Sequence, residues 1–257
     1  NLYIGNRNAI SKVTPTAGVT QYWSFLGVTN SAALCTDASG NIYSANADNT
    51  VSKVTPSGTL TSNWATLSPG SSPRDMALDA SGNLYVANSD INYISKITSA
   101  GVANNTWAEI GAGATSILTA TNGDVYVSAQ NPNRIDKITS AGVITTNWAS
   151  IPSGLIILDM TFDANGNIFA TVINNVTAVY TVCKIMPNGT INSNFATLTG
   201  ATMSLKIICD DKRGVLYLIN QAEKTVSKVS MIDGTLTQQW VSFSGFQTPR
   251  SGIIVGD

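Results

Sequence analysis

Apolar and polar positions along this chain fall into short runs of strand length, and the runs recur. An aromatic-bearing run returns as Asn1-Leu2-Tyr3, Asn41-Ile42-Tyr43, Asn83-Leu84-Tyr85, Asp124-Val125-Tyr126, Asn167-Ile168-Phe169 and Val215-Leu216-Tyr217, at steps of 40, 42, 41, 43 and 48 residues. A second run follows each: Ile10-Ser11-Lys12-Val13, Val51-Ser52-Lys53-Val54, Ile94-Ser95-Lys96-Ile97, Ile135-Asp136-Lys137-Ile138, Val182-Cys183-Lys184-Ile185 and Val226-Ser227-Lys228-Val229. Stiff β-branched side chains at these places suit strands. An aromatic closes each repeat, at Trp23, Trp64, Trp107, Trp148, Phe195 and Trp240. Turns lie between the runs. Asp37-Ala38-Ser39-Gly40, Asp79-Ala80-Ser81-Gly82 and Asp163-Ala164-Asn165-Gly166 precede the aromatic strand, and Pro56-Ser57-Gly58 and Ser140-Ala141-Gly142 follow the lysine strand. Such sequences supply side-chain caps and positive φ.

A period just above 40 residues with four strands per unit predicts an all-β propeller of four-stranded antiparallel blades. The ends indicate how it closes. Pro249-Arg250-Ser251-Gly252-Ile253-Ile254-Val255-Gly256-Asp257 reads like the innermost strand at Pro73-Arg74-Asp75-Met76-Ala77-Leu78, and no aromatic strand follows it. The chain begins with that strand. The N- and C-terminal strands are therefore expected to share one blade, leaving no open edge. One six-bladed domain over residues 1–257 is the expectation.

The unit running from Pro73 to Asn88, followed by Ile94-Ser95-Lys96-Ile97, resembles the NHL-repeat and related six-bladed propellers over the whole chain. The resemblance implies the fold and no single activity, since propellers serve as enzymes, lectins and scaffolds. Two departures stand out. Asn6, Asn46, Asn88 and Asn220 occupy a place where such repeats usually carry Asp. The Asn63-Trp64-Ala65 and Asn147-Trp148-Ala149 elements are foreign to the usual unit.

Composition changes the picture mainly by exclusion. Charged residues are only 11% of the chain and the formal net charge is −1, with no basic run, so nucleic acid is not an expected partner. No stretch approaches the roughly 18 apolar residues of a membrane span. A surface rich in Ser, Thr, Asn and Gly suits a secreted or cell-surface protein, and the opening Asn1 suits a chain whose leader has been removed. Asn104-Asn105-Thr106, Asn175-Val176-Thr177 and Asn188-Gly189-Thr190 permit glycosylation. The three cysteines, Cys35, Cys183 and Cys209, lack metal spacing and are expected as buried free thiols.

The chain has no histidine, which removes His-based triads, His general bases and His-ligated metals. Its two glutamates, Glu109 and Glu223, do not start innermost strands, where lactonase-like propellers would be expected to hold calcium. No phosphate-binding or calcium-loop motif occurs. No cofactor, metal or catalytic residue is expected.

Repeated residues have a structural reading. The six strand lysines are expected to lay their stems over apolar surface, rather than form a cationic ring for an anionic polymer. The terminal aromatics are expected to pack against adjacent blades, rather than act as sugar platforms. Residues that differ between blades are the better site candidates. Arg74, Asp75, Asp159, Lys206 and Arg250 align at the start of innermost strands, a concentration of charge in a charge-poor chain. Their alternatives are a ligand site at the channel mouth or mutually neutralising ion pairs. The expected function is an extracellular binding or structural module for a protein surface, a glycan or a second copy. The rivals are a propeller lyase or lactonase, using Asp75 or Asp159 with Arg74 or Arg250, and a Trp-based lectin.

Overall fold

A computed structural model describes residues 2–5, 9–13, 19–26, 31–130, 132–198, 205–220, 222–242 and 251–254. The strands near the N-terminus are β1 (Leu2–Gly5), β2 (Ala9–Val13) and β3 (Val19–Phe25). Blade A comprises β4 (Ser31–Thr36), β5 (Ile42–Asn46), β6 (Thr50–Val54) and β7 (Leu60–Thr66). Blade B comprises β8 (Pro73–Leu78), β9 (Leu84–Asn88), β10 (Tyr93–Ile97) and β11 (Ala103–Glu109). Blade C comprises β12 (Ala114–Thr119), β13 (Val125–Ala129), β14 (Arg134–Ile138) and β15 (Ile144–Ser150). Blade D comprises β16 (Leu155–Phe162), β17 (Ile168–Asn174), β18 (Tyr180–Ile185) and β19 (Ile191–Leu198). Blade E comprises β20 (Leu205–Asp210), β21 (Val215–Asn220), β22 (Thr225–Ser230) and β23 (Leu236–Ser242), and the final strand is β24 (Ser251–Ile254).

Each blade is an antiparallel sheet with strands in chain order. Five blades are each wound from unbroken chain, against the six-bladed ring expected. The remaining four-stranded sheet joins the two ends in the order β24-β1-β2-β3, with Tyr3 opposite Ile253 and Gly5 opposite Ser251. The β-propeller class and the pairing of the ends follow the repeat.

The core lies between blades rather than within one. Tyr43, Val51 and Leu67 of blade A cluster with Met76, Leu84 and Val86 of blade B, and equivalent clusters join B to C, C to D and D to E. The second strands β5, β9 and β13 are buried at every position, because one face meets the preceding blade and the other the following one. That explains their near-continuous apolar runs.

The Asn departure from the usual repeat has a polar cause. Asn46 Nδ2 donates to Thr50 Oγ1 and Ser52 Oγ, both at 3.0 Å, and Asn88 Nδ2 donates to the Tyr93 carbonyl at 2.9 Å and to Ser95 Oγ at 3.1 Å. An amide supplies the N–H donors that a carboxylate lacks. The turn aspartates cap their hairpins: Asp37 accepts from the Ser39 and Asn41 N–H groups, from Asn41 Nδ2 and from the Tyr43 hydroxyl. Asp79 repeats this set in blade B. Burial pushes both carboxyls up, but these hydrogen bonds outweigh it and hold them below the usual range.

The terminal aromatics pack from each blade onto the next. Trp64 covers Gly101, where an added Cβ would stand 2.8 Å from the Trp64 carbonyl and 3.2 Å from the indole. Trp23 meets Gly58 and Trp107 meets Gly142 through the indole, Trp148 meets Gly189 mainly through its carbonyl, and Gly234 is met by the main chain of Phe195. Lys53, Lys96, Lys137, Lys184 and Lys228 lie over their own blades' rings, as Lys53 Nζ does at 5.3 Å from Tyr43 and 5.8 Å from Trp64. Lys137 also pairs with the turn residue Asp124 at 2.8 Å. The outermost pair of every sheet carries a β-bulge before the lysine, and Asn63, Asn147 and Gln239 adopt left-handed φ of 62° or less. Asn tolerates that conformation best among non-glycine residues, which accounts for the Asn-Trp-Ala element. Such bulges also blunt the exposed edges against pairing with another chain.

Cys35 and Cys183 are buried free thiols as expected, while Cys209 is half-buried. Burial pushes Cys183 up to about 12, so it behaves as a small hydrophobe.

Candidate ligand site at the channel mouth

The innermost strands β4, β8, β12, β16 and β20 surround an axial cavity of about 340 Å³. Strand register places Ala33, Asp75, Ser116, Asp159 and Lys206 at one level, opposite Ala45, Ala87, Ser128, Thr171 and Ile219 of their second strands. Three of the five sequence candidates therefore share this layer.

They are linked through Ser116, which is not one of the charged candidates but lies in the segment 113–116 that differs between blades. Ser116 Oγ donates to Asp75 Oδ2 at 2.8 Å and lies 3.3 Å from Asp159 Oδ1, while accepting the Met160 N–H at 3.2 Å. Lys206 Nζ reaches Asp159 Oδ1 at 3.1 Å. Each carboxylate also accepts a main-chain N–H from a neighbouring innermost strand: Ile117 to Asp75 at 3.0 Å, and Ile207 to Asp159 at 2.9 Å. Side chains at one level thus stitch β8 to β12, β12 to β16 and β16 to β20.

One ammonium faces two carboxylates. The Asp159 and Lys206 side chains are 8% and 19% exposed, so neither is freely hydrated. Burial pushes Asp159 up more than Lys206 and the Ile207 N–H pull it down, with Asp75 adding to the rise. Burial works against the Lys206 ammonium, yet Asp159 and Asp75 together hold it protonated above its ordinary range. The layer is a hydrogen-bonded polar network with one more negative than positive group.

Arg74 does not join it. The pairing of β8 with β9 shifts register between Pro73 and Asp75, so Arg74 is the extra residue of a β-bulge; it is exposed, with Nε donating to Ser89 Oγ at 3.3 Å. Arg250 lies outside the described residues. Among the described residues no group of three or more His, Cys, Asp or Glu side chains could hold a metal ion. Among the described residues no helix is long and apolar enough to cross a membrane.

No protein-family profile matches the sequence, and no curated protein matches it in sequence. The fold is nonetheless shared with solved structures. A structure titled as a nidogen/laminin complex matches with a TM-score of 0.73 at 14% identity, over 98% of this chain and 96% of that one. Virginiamycin B lyase from Staphylococcus aureus matches with a TM-score of 0.63 at 17% identity, over 80% and 68% of the two chains. A gluconolactonase from Xanthomonas campestris matches with a TM-score of 0.64 at 12% identity, over 83% and 76%. At these identities the likeness establishes a β-propeller and nothing about chemistry.

Proposed function

We propose that this chain is a non-catalytic extracellular binding module whose partner is a protein surface seated at the channel mouth. The observation that carries the reading is the use of the channel charges. Asp75 and Asp159 accept main-chain N–H groups of neighbouring strands, and Lys206 is bound to Asp159. Groups held this way position strands and offer a partner a fixed polar pattern, but none is a free base beside a nucleophile. Arg74, exposed at the same end, supplies an accessible cation, and Arg250 aligns with it in sequence. The joined sheet of β24 and β1–β3 is read as a sixth blade, with β24 between β4 and β20 closing the ring. The nidogen/laminin likeness and the Ser/Thr/Asn-rich, charge-poor composition support a protein partner and an extracellular setting. A lectin built on repeated indoles is not favoured, since Trp23, Trp64, Trp107 and Trp148 are half-buried and Trp240 alone among the five is exposed.

The competing reading is a lyase or lactonase. Incubation of the purified protein with virginiamycin B and with gluconolactone, with and without added divalent cations, separates the two. No turnover is expected. Turnover that disappears in Asp75→Asn or Asp159→Asn would overturn the binding-module reading.

A further inference from the structure

Blade C departs from its sister blades at three contacting positions. Where blades A and B place Asn46 and Asn88, blade C has Ala129; where they place Thr50 and Tyr93 it has Arg134; where they place Ser52 and Ser95 it has Asp136. A neutral Asn–Ser hydrogen bond is replaced by a buried ion pair, Arg134 Nε to Asp136 Oδ1 at 2.8 Å, with side chains 8% and 0% exposed. The Asn147 N–H donates to the same oxygen at 2.7 Å, and Asp136 Oδ2 has no partner among the described residues. Desolvating two ions is costly, and the neighbouring blades show that the fold has an uncharged solution at this place.

The exchange delivers a guanidinium to a groove. A cavity of about 800 Å³ lies between the outer part of blade C and the connection into blade D, lined among others by Pro132, Arg134, Asn147, Ser150, Ile151 and Ser153. Arg134 is the only charged side chain among the described residues lining it, and no aromatic ring lines it as a platform for sugars. Asp136 holds Nε, and Nη2 donates to the Ile110 carbonyl at 2.7 Å, so the guanidinium is fixed from blade B as well. The contact of Nη1 with the Pro132 carbonyl is 3.5 Å long. A guanidinium has five N–H groups, so its terminal edge keeps donors for a ligand. A clamped arginine with free N–H groups suits a carboxylate, which it can meet with two parallel bonds.

We infer that this groove is a second binding site, independent of the channel mouth, for an extended peptide segment that presents an acidic side chain to Arg134. Hydroxyl and amide groups of Asn133, Thr146, Asn147 and Ser150 face the peptide main chain, and Ile151 and Pro152 supply its apolar floor.

The test uses a fluorescent acetyl-Gly-Glu-Asp-Glu-Gly-amide peptide and its Gln/Asn isostere, with maltotetraose as a competitor, read by fluorescence anisotropy. The acidic peptide is expected to bind about tenfold or more tightly than the isostere. The variant Ala129→Asn/Arg134→Thr/Asp136→Ser rebuilds the sister-blade pattern; it should melt no lower than the parent and lose the preference. Ser153→Glu sets a like charge at the exposed rim without touching the pair, and should also abolish the preference. Equal binding of the two peptides by the parent, survival of the preference in either variant, or displacement by maltotetraose would overturn the inference.

Discussion

Near the axis and near the rim, the same blades are joined by different means. At the rim one device is repeated: the residue carrying the aromatic lies against the turn glycine of the next blade, from Trp23 on Gly58 to Phe195 on Gly234. Near the axis the equivalent level reads Ala33, Asp75, Ser116, Asp159 and Lys206, and hydrogen bonds link the last four. The rim contact tolerates little variation where it is closest, because a Cβ on Gly101, Gly189 or Gly234 would enter the neighbouring backbone. A polar contact between innermost strands needs only an acceptor aimed at an N–H, so Asp or Ser serves. Individuality therefore accumulates at the channel.

The rim should be the more sensitive region. Gly234→Ala sets a methyl group against the Phe195 carbonyl at φ 75°, whereas Gly70→Ala has φ 74° and nothing within 4 Å. The first should cost about 3 kcal/mol or more and the second about 1 kcal/mol, measured by urea unfolding. Similar losses for both would mean that the glycine's own backbone conformation, not the close approach of the neighbouring blade, governs the rim. Lys206→Met follows, leaving Asp159 buried beside Asp75. A loss of about 3 kcal/mol at neutral pH is expected, partly recovered when Asp159→Asn is added. A smaller loss, about 1 to 2 kcal/mol, is expected for Ser116→Ala, which removes the acceptor of the Met160 N–H and the donor to Asp75.

The turns add a pH dependence. Asp37 and Asp79 have carboxyls held below their ordinary 3.8 by hydrogen bonds that outweigh burial. Their stabilisation is fully present above that value and is lost as pH falls through the depressed folded-state value. Asp37→Asn/Asp79→Asn should flatten the fall in melting temperature below about pH 4; an unchanged acid limb would place the loss elsewhere. Smallest of all is the effect of a strong chelator. Melting curves with and without it should coincide, and a drop of ten degrees would place a structural ion in the fold.

The strands, the turns and the rim aromatics were legible because each recurs with the period, so neighbouring repeats interpret one another. The joining of the chain's ends was legible from a missing aromatic strand. Asp75, Asp159 and Lys206 stood out as rare charges, but Arg74 falls on a β-bulge that turns it out of their layer. Ser116 lies in a segment, 113–116, that differs between blades, yet a serine in a serine-rich chain does not declare its role until its neighbours are placed. Arg134 closes the variable loop 131–134 and Asp136 breaks the repeat in Ile135-Asp136-Lys137, but their pairing follows only once the strand sets both on one face.

The seating of an aromatic from one blade on a glycine of the next makes every rim contact heterologous: each unit offers its successor what it receives from its predecessor. Interfaces of that kind have no preferred copy number, and the rotation per unit decides whether the series closes or winds on as a spiral. Duplication or loss of a whole repeat would leave the remaining rim junctions of the same kind, although the axial hydrogen bonds between particular blades would change. What limits such a lineage is angular, since the last unit must arrive beside the first. The antiparallel register of β24 against β1 is where that angular fit is enforced.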